Sequence, residues 1–433
     1  MRKRSMAAVS LAMCAAVGIC ACSNKEENVF TGETVEGPAW QANLDKLSPP
    51  VYGDIEDLDL EPGTYISVIG KMSDSPYWQQ VKKGVSQAAK DINERLGYTG
   101  GDEIKVLFNA PSDSEDIDEQ VNILDEEMAR YPDVIAIASI DENASAVQFD
   151  LAIENGIDIV AFDSGNSYQG IQSTCMTDNA AAAGTGAQKL CAAIEDSGEV
   201  ALIVQDSVSA NAREREEAFK KTIEAEHPNV TVAETIYMDR LDELKRQVAA
   251  EELGVTAEEL AAWTQAAAGL ESAGGEEGTE DTENAQNTEN PDQETDISES
   301  AKTRLEDIDS VAEGMSDKAV VSYYLEKHPD LAGCFGTNAD AVMLGADALE
   351  EMEKTEDIVL MGFDAGAEQM AGLESGAIDG LVVQNPFGMG YATVVAAART
   401  VLEIGNEAVV DTGYTWVDRD NMEDKAVQAM LYE

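Results

Sequence analysis

Residues 65–92 read YISVIG (65–70), KMSDSPYW (71–78) and QQVKKGVSQAAKDI (79–92). The first piece is a short apolar run rich in β-formers, and the last carries apolar residues at helical spacing. The middle piece is therefore a strand-to-helix corner, with Pro76 fixing the turn. Corners are usually polar, yet this one holds Tyr77 beside Trp78, one of four tryptophans in the chain. Two large rings at a corner call for something to cover them.

The same strand-then-helix unit recurs along the chain. Further strands are expected at 103–110, 134–139, 157–162, 199–204, 230–237, 333–338, 358–363 and 380–385, with amphipathic stretches such as SAVQFDLAIENG and AVMLGADALEEM between them. Near-continuous Val/Ile runs followed by helices predict parallel strands buried on both faces. The fold class expected is α/β, built as two doubly wound parallel-sheet lobes. One stretch stands apart: 241–310 reads as an acidic insertion that starts helical. Within it, 271–300 has no basic residue and almost no apolar one, so it is expected to be disordered. It lacks the twelve-residue calcium-loop pattern.

The amino-terminal residues indicate a compartment. Arg2, Lys3 and Arg4 precede an apolar stretch, and the pattern of residues 1–22 is that of a secretory signal. Its end, Ile19-Cys20-Ala21-Cys22, resembles the bacterial lipobox, which implies lipid attachment at Cys22 and a chain anchored outside the cytoplasm on a bacterial cell membrane. Residues 23–63, polar with several prolines, are expected to be a flexible tether. Cys175, Cys191 and Cys334 are too few and too scattered for a disulfide framework, although the sequence leaves one pairing open. The formal net charge of −57, from 85 acidic and 28 basic residues, excludes nucleic acid as a partner.

Catalytic signatures are missing from the sequence. There is no GxSxG, HExxH, P-loop or GxGxxG, and His227 and His328 are the only histidines. No enzyme activity, cofactor or metal is expected. Polar side chains recur instead at the carboxyl ends of the expected strands, where open parallel sheets bind ligands. These are Asp163, Asp178, Asn179, Asn338, Asp364 and Gln384, with Arg213 at the start of a helical run after the strand at 199–204. Asp, Asn, Gln and Arg beside aromatic rings suit a polyhydroxylated ligand, whose hydroxyls both donate and accept. The plainer readings are helix caps for the aspartates, a turn for Asn338, and a surface pair with a neighbouring glutamate for Arg213.

In order along the chain, SDSPYW, GIDIVAFDSGN, TDN, NAREREEAF, FGTNADAVMLGADAL, MGFDA and IDGLVVQNPFGMGY resemble motifs of the sugar-binding lipoproteins of ABC transporters, the ribose-, galactose- and xylose-type periplasmic binding proteins. The resemblance implies three crossovers, near Asp178, Gln384 and Val410. It implies an amino-terminal lobe of 64–178 plus 386–410 and a carboxy-terminal lobe of 179–385 plus 411–433. Tyr77 and Trp78 would wall a sugar, helped by Phe162 or Met238. Asp163, Arg213, Asn338, Asp364 and Gln384 would bind its hydroxyls, with Asp178 and Asn179 at the crossover. A monosaccharide or small polyol and ABC permease subunits are the implied partners. The alternatives are a sugar- or autoinducer-sensing subunit for a membrane sensor kinase or chemoreceptor, and a carbohydrate hydrolase using paired carboxylates. The chain departs from the family in Asp74-Ser75 before the proline, in Ser164 after the strand aspartate, and in the acidic insertion.

Overall fold

The strand that opens the quoted stretch, β1 (Tyr65–Ile69), lies inside a parallel sheet between two other strands, which is why its residues are buried on both faces. The computed structural model describes residues 38, 40–112, 115–273 and 291–432, with backbone alone for 266–273 and 291–300. The expected signal segment, Cys22 and residues 23–37 lie outside the described residues.

The chain from Trp40 builds a short helix α1 (Gln41–Leu44), β1, α2 (Pro76–Leu96), β2 (Lys105–Asn109), α3 (Ile117–Met128), β3 (Val134–Ile137), α4 (Ala146–Glu154), β4 (Asp158–Phe162) and β5 (Ile171–Met176). It then crosses to the second lobe. That lobe holds α5 (Asn179–Ala193), β6 (Gly198–Val204), α6 (Ala210–Glu226), β7 (Val230–Tyr237), α7 (Leu241–Glu252), α8 (Ala257–Ala273), α9 (Pro291–Ala312), α10 (Asp317–Glu326), β8 (Leu331–Gly336), α11 (Ala339–Glu351), β9 (Val359–Phe363), α12 (Ala367–Ser375) and β10 (Gly380–Gln384). The chain returns for α13 (Pro386–Val401) and β11 (Val409–Asp411), and crosses again to β12 (Tyr414–Val417) and α14 (Lys425–Gln428).

The sheets run β11-β5-β4-β3-β1-β2 and β12-β10-β9-β8-β6-β7, the same order twice. All pairings are parallel except β10 with β12. The protein is thus two doubly wound α/β lobes, with connections passing between them after β5, β10 and β11.

Two expectations need correction. Residues 40–63 are no tether: Leu44, Leu47, Tyr52, Leu58 and Leu60 are buried in the main core, and Ser48 bridges Asp411. That apolar burial offsets the cost of ordering the segment. Of the stretch expected to lack order, 274–290 lie outside the described residues, whereas 271–273 end α8 and 291–300 begin α9. A small core of Ala249, Ala250, Val255, Ile308 and Ala312 joins α7, the turn after it and the second half of α9.

Helix α13 is buried along almost its whole length and lies against α2 at backbone contact. A Cβ on Gly84 would sit 2.0 Å from the Phe387 carbonyl oxygen, and one on Gly390 would sit 2.1 Å from that of Val81. Neither backbone has room to give. Gly390→Ala is therefore expected to lower unfolding free energy by about 1–3 kcal/mol or more, read as a reduced urea midpoint at unchanged slope.

Candidate functional site

The carboxyl ends of the two sheets face one another across a cleft of about 340 Å³, at the lower end of the size range of ligand pockets. From the first lobe it is lined by Lys71 and Met72 after β1, by Tyr77 and Trp78 at the head of α2, by Glu115 before α3 and by Asp163 after β4. From the second it is lined by Gln205 after β6, Asn211 and Arg215 in α6, Asn338 after β8, Asp364 after β9 and Gln384 at the end of β10.

Repetition of the topology places Asp163 and Asp364 at matching positions, each one residue past the third strand from the crossing edge. Both adopt the left-handed backbone, with φ of 55° and 79°. Aspartate tolerates this conformation better than most residues, and it turns each carboxylate back over its strand end. Asp163 accepts from the Tyr77 hydroxyl at 2.6 Å and, across the cleft, from Asn211 Nδ2 at 3.4 Å. Asp364 accepts from Gln384 Nε2 at 2.7 Å and from the Ala339 amide at 3.0 Å. Burial pushes the Asp364 carboxyl above its ordinary range, with Arg215 opposing.

Tyr77 and Trp78 meet edge to face, with ring centres 5.3 Å apart, and Trp78 backs onto Phe162 in the same way. Phe162 is buried behind Trp78, and Met238 is not among the cleft residues. The rings at the corner are thus core on one side and cleft wall on the other.

Other expected residues sit elsewhere. Asp178 caps α5 through the Ala181 amide at 2.9 Å, which is its plainer reading. Asn179 is buried and receives Arg215 Nε at 2.8 Å. Both line a separate pocket beside the crossing with Glu214 and Asp411. Asn338 faces the cleft but also caps α11, through the Ala341 amide at 2.9 Å.

Arg213 is corrected. Its guanidinium turns out of the cleft to the Val208 carbonyl and pairs with Glu142 of the other lobe. The arginine inside is Arg215, only 2 % exposed, which donates from Nη1 to the Thr337 carbonyl at 2.7 Å and from Nη2 to Gln384 Oε1 at 2.8 Å. Its plane also lies 4.2 Å from the centre of the Phe363 ring. Two residues apart on a helix means nearly opposite faces, so only one of the pair can point inward. Both arginines stand in the same stretch, NAREREEAF, and their position after the strand at 199–204 does not separate them.

Lys71 was also missed. Its ammonium is buried, and among the described residues none hydrogen-bonds it: carboxylate oxygens of Glu115 and Asp163 lie 3.8 and 4.0 Å away, at ion-pair range. Loss of water around Glu115 pushes its carboxyl up, with Lys71 opposing. An unmatched ammonium directed at a cavity asks for an oxygen acceptor from whatever fills it.

A periodic arrangement of this kind has known relatives. The family model described as "Periplasmic binding protein domain" matches residues 66–256 and 312–405. The chain belongs to the periplasmic binding protein family. Residues 257–311, between the two matched stretches, are those of α8 and α9 and the segment joining them. No curated protein matches the sequence.

Solved structures share the periplasmic binding protein fold. A carbohydrate transporter solute-binding protein of Agrobacterium radiobacter, in complex with D-arabinose, is 23 % identical with a TM-score of 0.60, over 85 % of this chain and 99 % of that one. A solute-binding protein of Agrobacterium vitis bound to α-D-tagatopyranose is 22 % identical with a TM-score of 0.62, over 86 % and 99 %. An arabinose-binding protein of Geobacillus stearothermophilus is 23 % identical with a TM-score of 0.56, over 84 % and 99 %.

The two arginines give a clear contrast. Arg215→Ala would leave Asn179, the Thr337 carbonyl and Gln384 without their buried donor and Asp364 without its nearby charge, and is expected to cost about 3–5 kcal/mol, whereas Arg213→Ala removes a half-exposed pair worth about 1 kcal/mol or less. Urea unfolding of the two variants side by side measures the difference.

Proposed function

We propose that this protein captures one monosaccharide, or a related small polyol, between its lobes and presents it to an ABC importer. The observation that carries the reading is Lys71. Its buried ammonium, ion-paired at long range but hydrogen-bonded by none of the described residues, faces a small cleft that also holds Asp163, Glu115 and Asn338 and the Tyr77–Trp78 wall. A sugar hydroxyl accepts from the ammonium while donating to a carboxylate, so one group meets both needs. The C–H face of the ring then lies against an aromatic side chain. Sugars bound to relatives of the same fold support the same class of ligand.

The ligand touches both lobes only when they are together, so its differential affinity draws the protein toward the closed form. Nothing in the scheme requires a bond to be made or broken. The buried Asp163, Asp364, Gln384 and Arg215 side chains hold one another and their neighbours rather than an exposed nucleophile. The protein works outside the cytoplasm, held to the membrane by a lipid on Cys22. No helix among the described residues is long and apolar enough to cross a membrane.

Titration with a panel of pentoses, hexoses and polyols is expected to give one class that raises the melting temperature and shifts tryptophan emission. Lys71→Met and Asp163→Asn each remove a charged hydrogen-bonding group, and affinity for that sugar should fall roughly ten- to a hundredfold. A panel in which no sugar or polyol moves either signal would sink the reading. For the anchor, a fatty-acid probe fed to expressing cells is expected to label the wild-type chain and leave Cys22→Ala unlabelled.

A further inference from the structure

Tyr432 lies far from every motif that points to the cleft, yet it lines it. Its ring is buried at 5 % exposure and meets Tyr77 of the first lobe edge to face, with centres 6.1 Å apart. Its hydroxyl accepts from the Ala365 amide of the second lobe at 3.2 Å. The segment leading to it is pinned: Val427 and Met430 are buried in the main core, and the Ala429 carbonyl accepts from Asn43 Nδ2 at 3.0 Å. Asn43 in turn receives Asn385 Nδ2 on its own carbonyl at 2.7 Å, at the crossing after β10. Residues 425–432 thus run as a strap touching both lobes.

A second hollow lies on the far side of that strap. It measures about 590 Å³ and is bounded by Gln80 and Lys83 of α2, by Met370 and Glu374 of α12, and by Met422. Tyr432 lines this groove as well as the cleft.

We propose that Tyr432 sets the size of ligand the cleft accepts, closing it after one sugar ring and keeping it from opening into the groove between α2 and α12. This rests on the sugar-binding reading above. With the phenol in place the cleft ends at the Tyr77–Tyr432 contact, and a second ring bonded to the first has nowhere to go. Without it, the two hollows join, and a longer, polar-edged site with methionine walls results. Burial and the neighbouring Asp364 carboxylate push the phenol well above its ordinary range.

The test uses the full chain as wild type, Tyr432→Phe and Tyr432→Ala, with two readouts. In the absence of ligand, hydrogen exchange at residues 71–78 and 363–366 is expected to rise in Tyr432→Ala and to stay near wild type in Tyr432→Phe. Calorimetry against monosaccharides and against disaccharides such as lactose, melibiose and maltose reads selectivity. Tyr432→Ala should lose about tenfold or more for the wild-type monosaccharide, a loss equivalent to one buried wall, and should bind a disaccharide that wild type rejects. Tyr432→Phe should keep the single-ring limit. Unchanged exchange in Tyr432→Ala, or a variant that binds the same monosaccharide equally well and still rejects every disaccharide, would overturn the proposal. If wild type binds no sugar at all, the sugar reading falls, while the exchange readout still decides whether Tyr432 is the partition.

Discussion

A buried guanidinium has to be met on every edge, and much of the cleft follows from meeting that of Arg215. An uncompensated charge in a dry interior costs several kcal/mol, so the fold must bring acceptors to it. The Asn179 side chain comes from the head of α5, the Thr337 carbonyl from the end of β8, and Gln384 from the end of β10. Each of these sits where a strand has just ended or a helix is about to begin, so one residue fixes the relative positions of three elements. Gln384 passes the constraint on: its oxygen serves Arg215 and Thr177, and its amide serves Asp364. Asp364 is thereby placed without a free choice of rotamer, and the polar floor of the second lobe is set before any ligand enters.

The first lobe solves the same problem differently. Its matching aspartate, Asp163, has a tyrosine hydroxyl and only a long contact to Asn211, and the cation nearest it, Lys71, stays beyond hydrogen-bonding distance. The second lobe is therefore pre-organised and self-satisfied, while the first keeps polar capacity in reserve. That asymmetry is what a binding cleft requires. A rigid side lowers the ordering cost of capture, and an under-satisfied side supplies the energy that differs between empty and filled states. The three buried thiols play no part in this; burial pushes those of Cys175 and Cys334 up to about 12, so they behave as small apolar groups.

Legibility in the sequence followed physical type. Strands buried on both faces announce themselves as Val/Ile runs, so β1, β3, β4, β6 and β9 could be read directly. Strand β5, IQSTCM, is half polar because it lies toward a sheet edge, and β11 and β12 are too short to carry a period. Aspartates at strand ends were legible as site candidates because the position itself is informative. Arg213 and Arg215 could not be told apart by position, since the difference is one of helix phase. Lys71 looked like an ordinary corner residue, and its burial depends on Glu115 and Asp163 arriving from other strands. Tyr432 had no sequence signal at all, because its contacts with Tyr77 and Ala365 span the length of the fold.

The acidic insertion shows how a fold can grow without disturbing such a site. It enters after β7, the strand at the outer edge of its sheet and the one farthest in strand order from the crossing strands β10 and β12. Helix α7 packs against α8 and α9 through its own small core, and α10 then resumes the crossover into β8. An inserted segment that buries its apolar residues on itself asks little of the parent sheet beyond room at its entry and exit. Had the same length entered after β8 or β9, it would have separated Asn338 or Asp364 from the helix that each strand end faces. An edge crossover is thus a position where added length leaves the carboxyl ends of both sheets in register. Lys71 and Arg215 are the cations that line the cleft, and they come from the end of β1 and from α6, outside the inserted stretch.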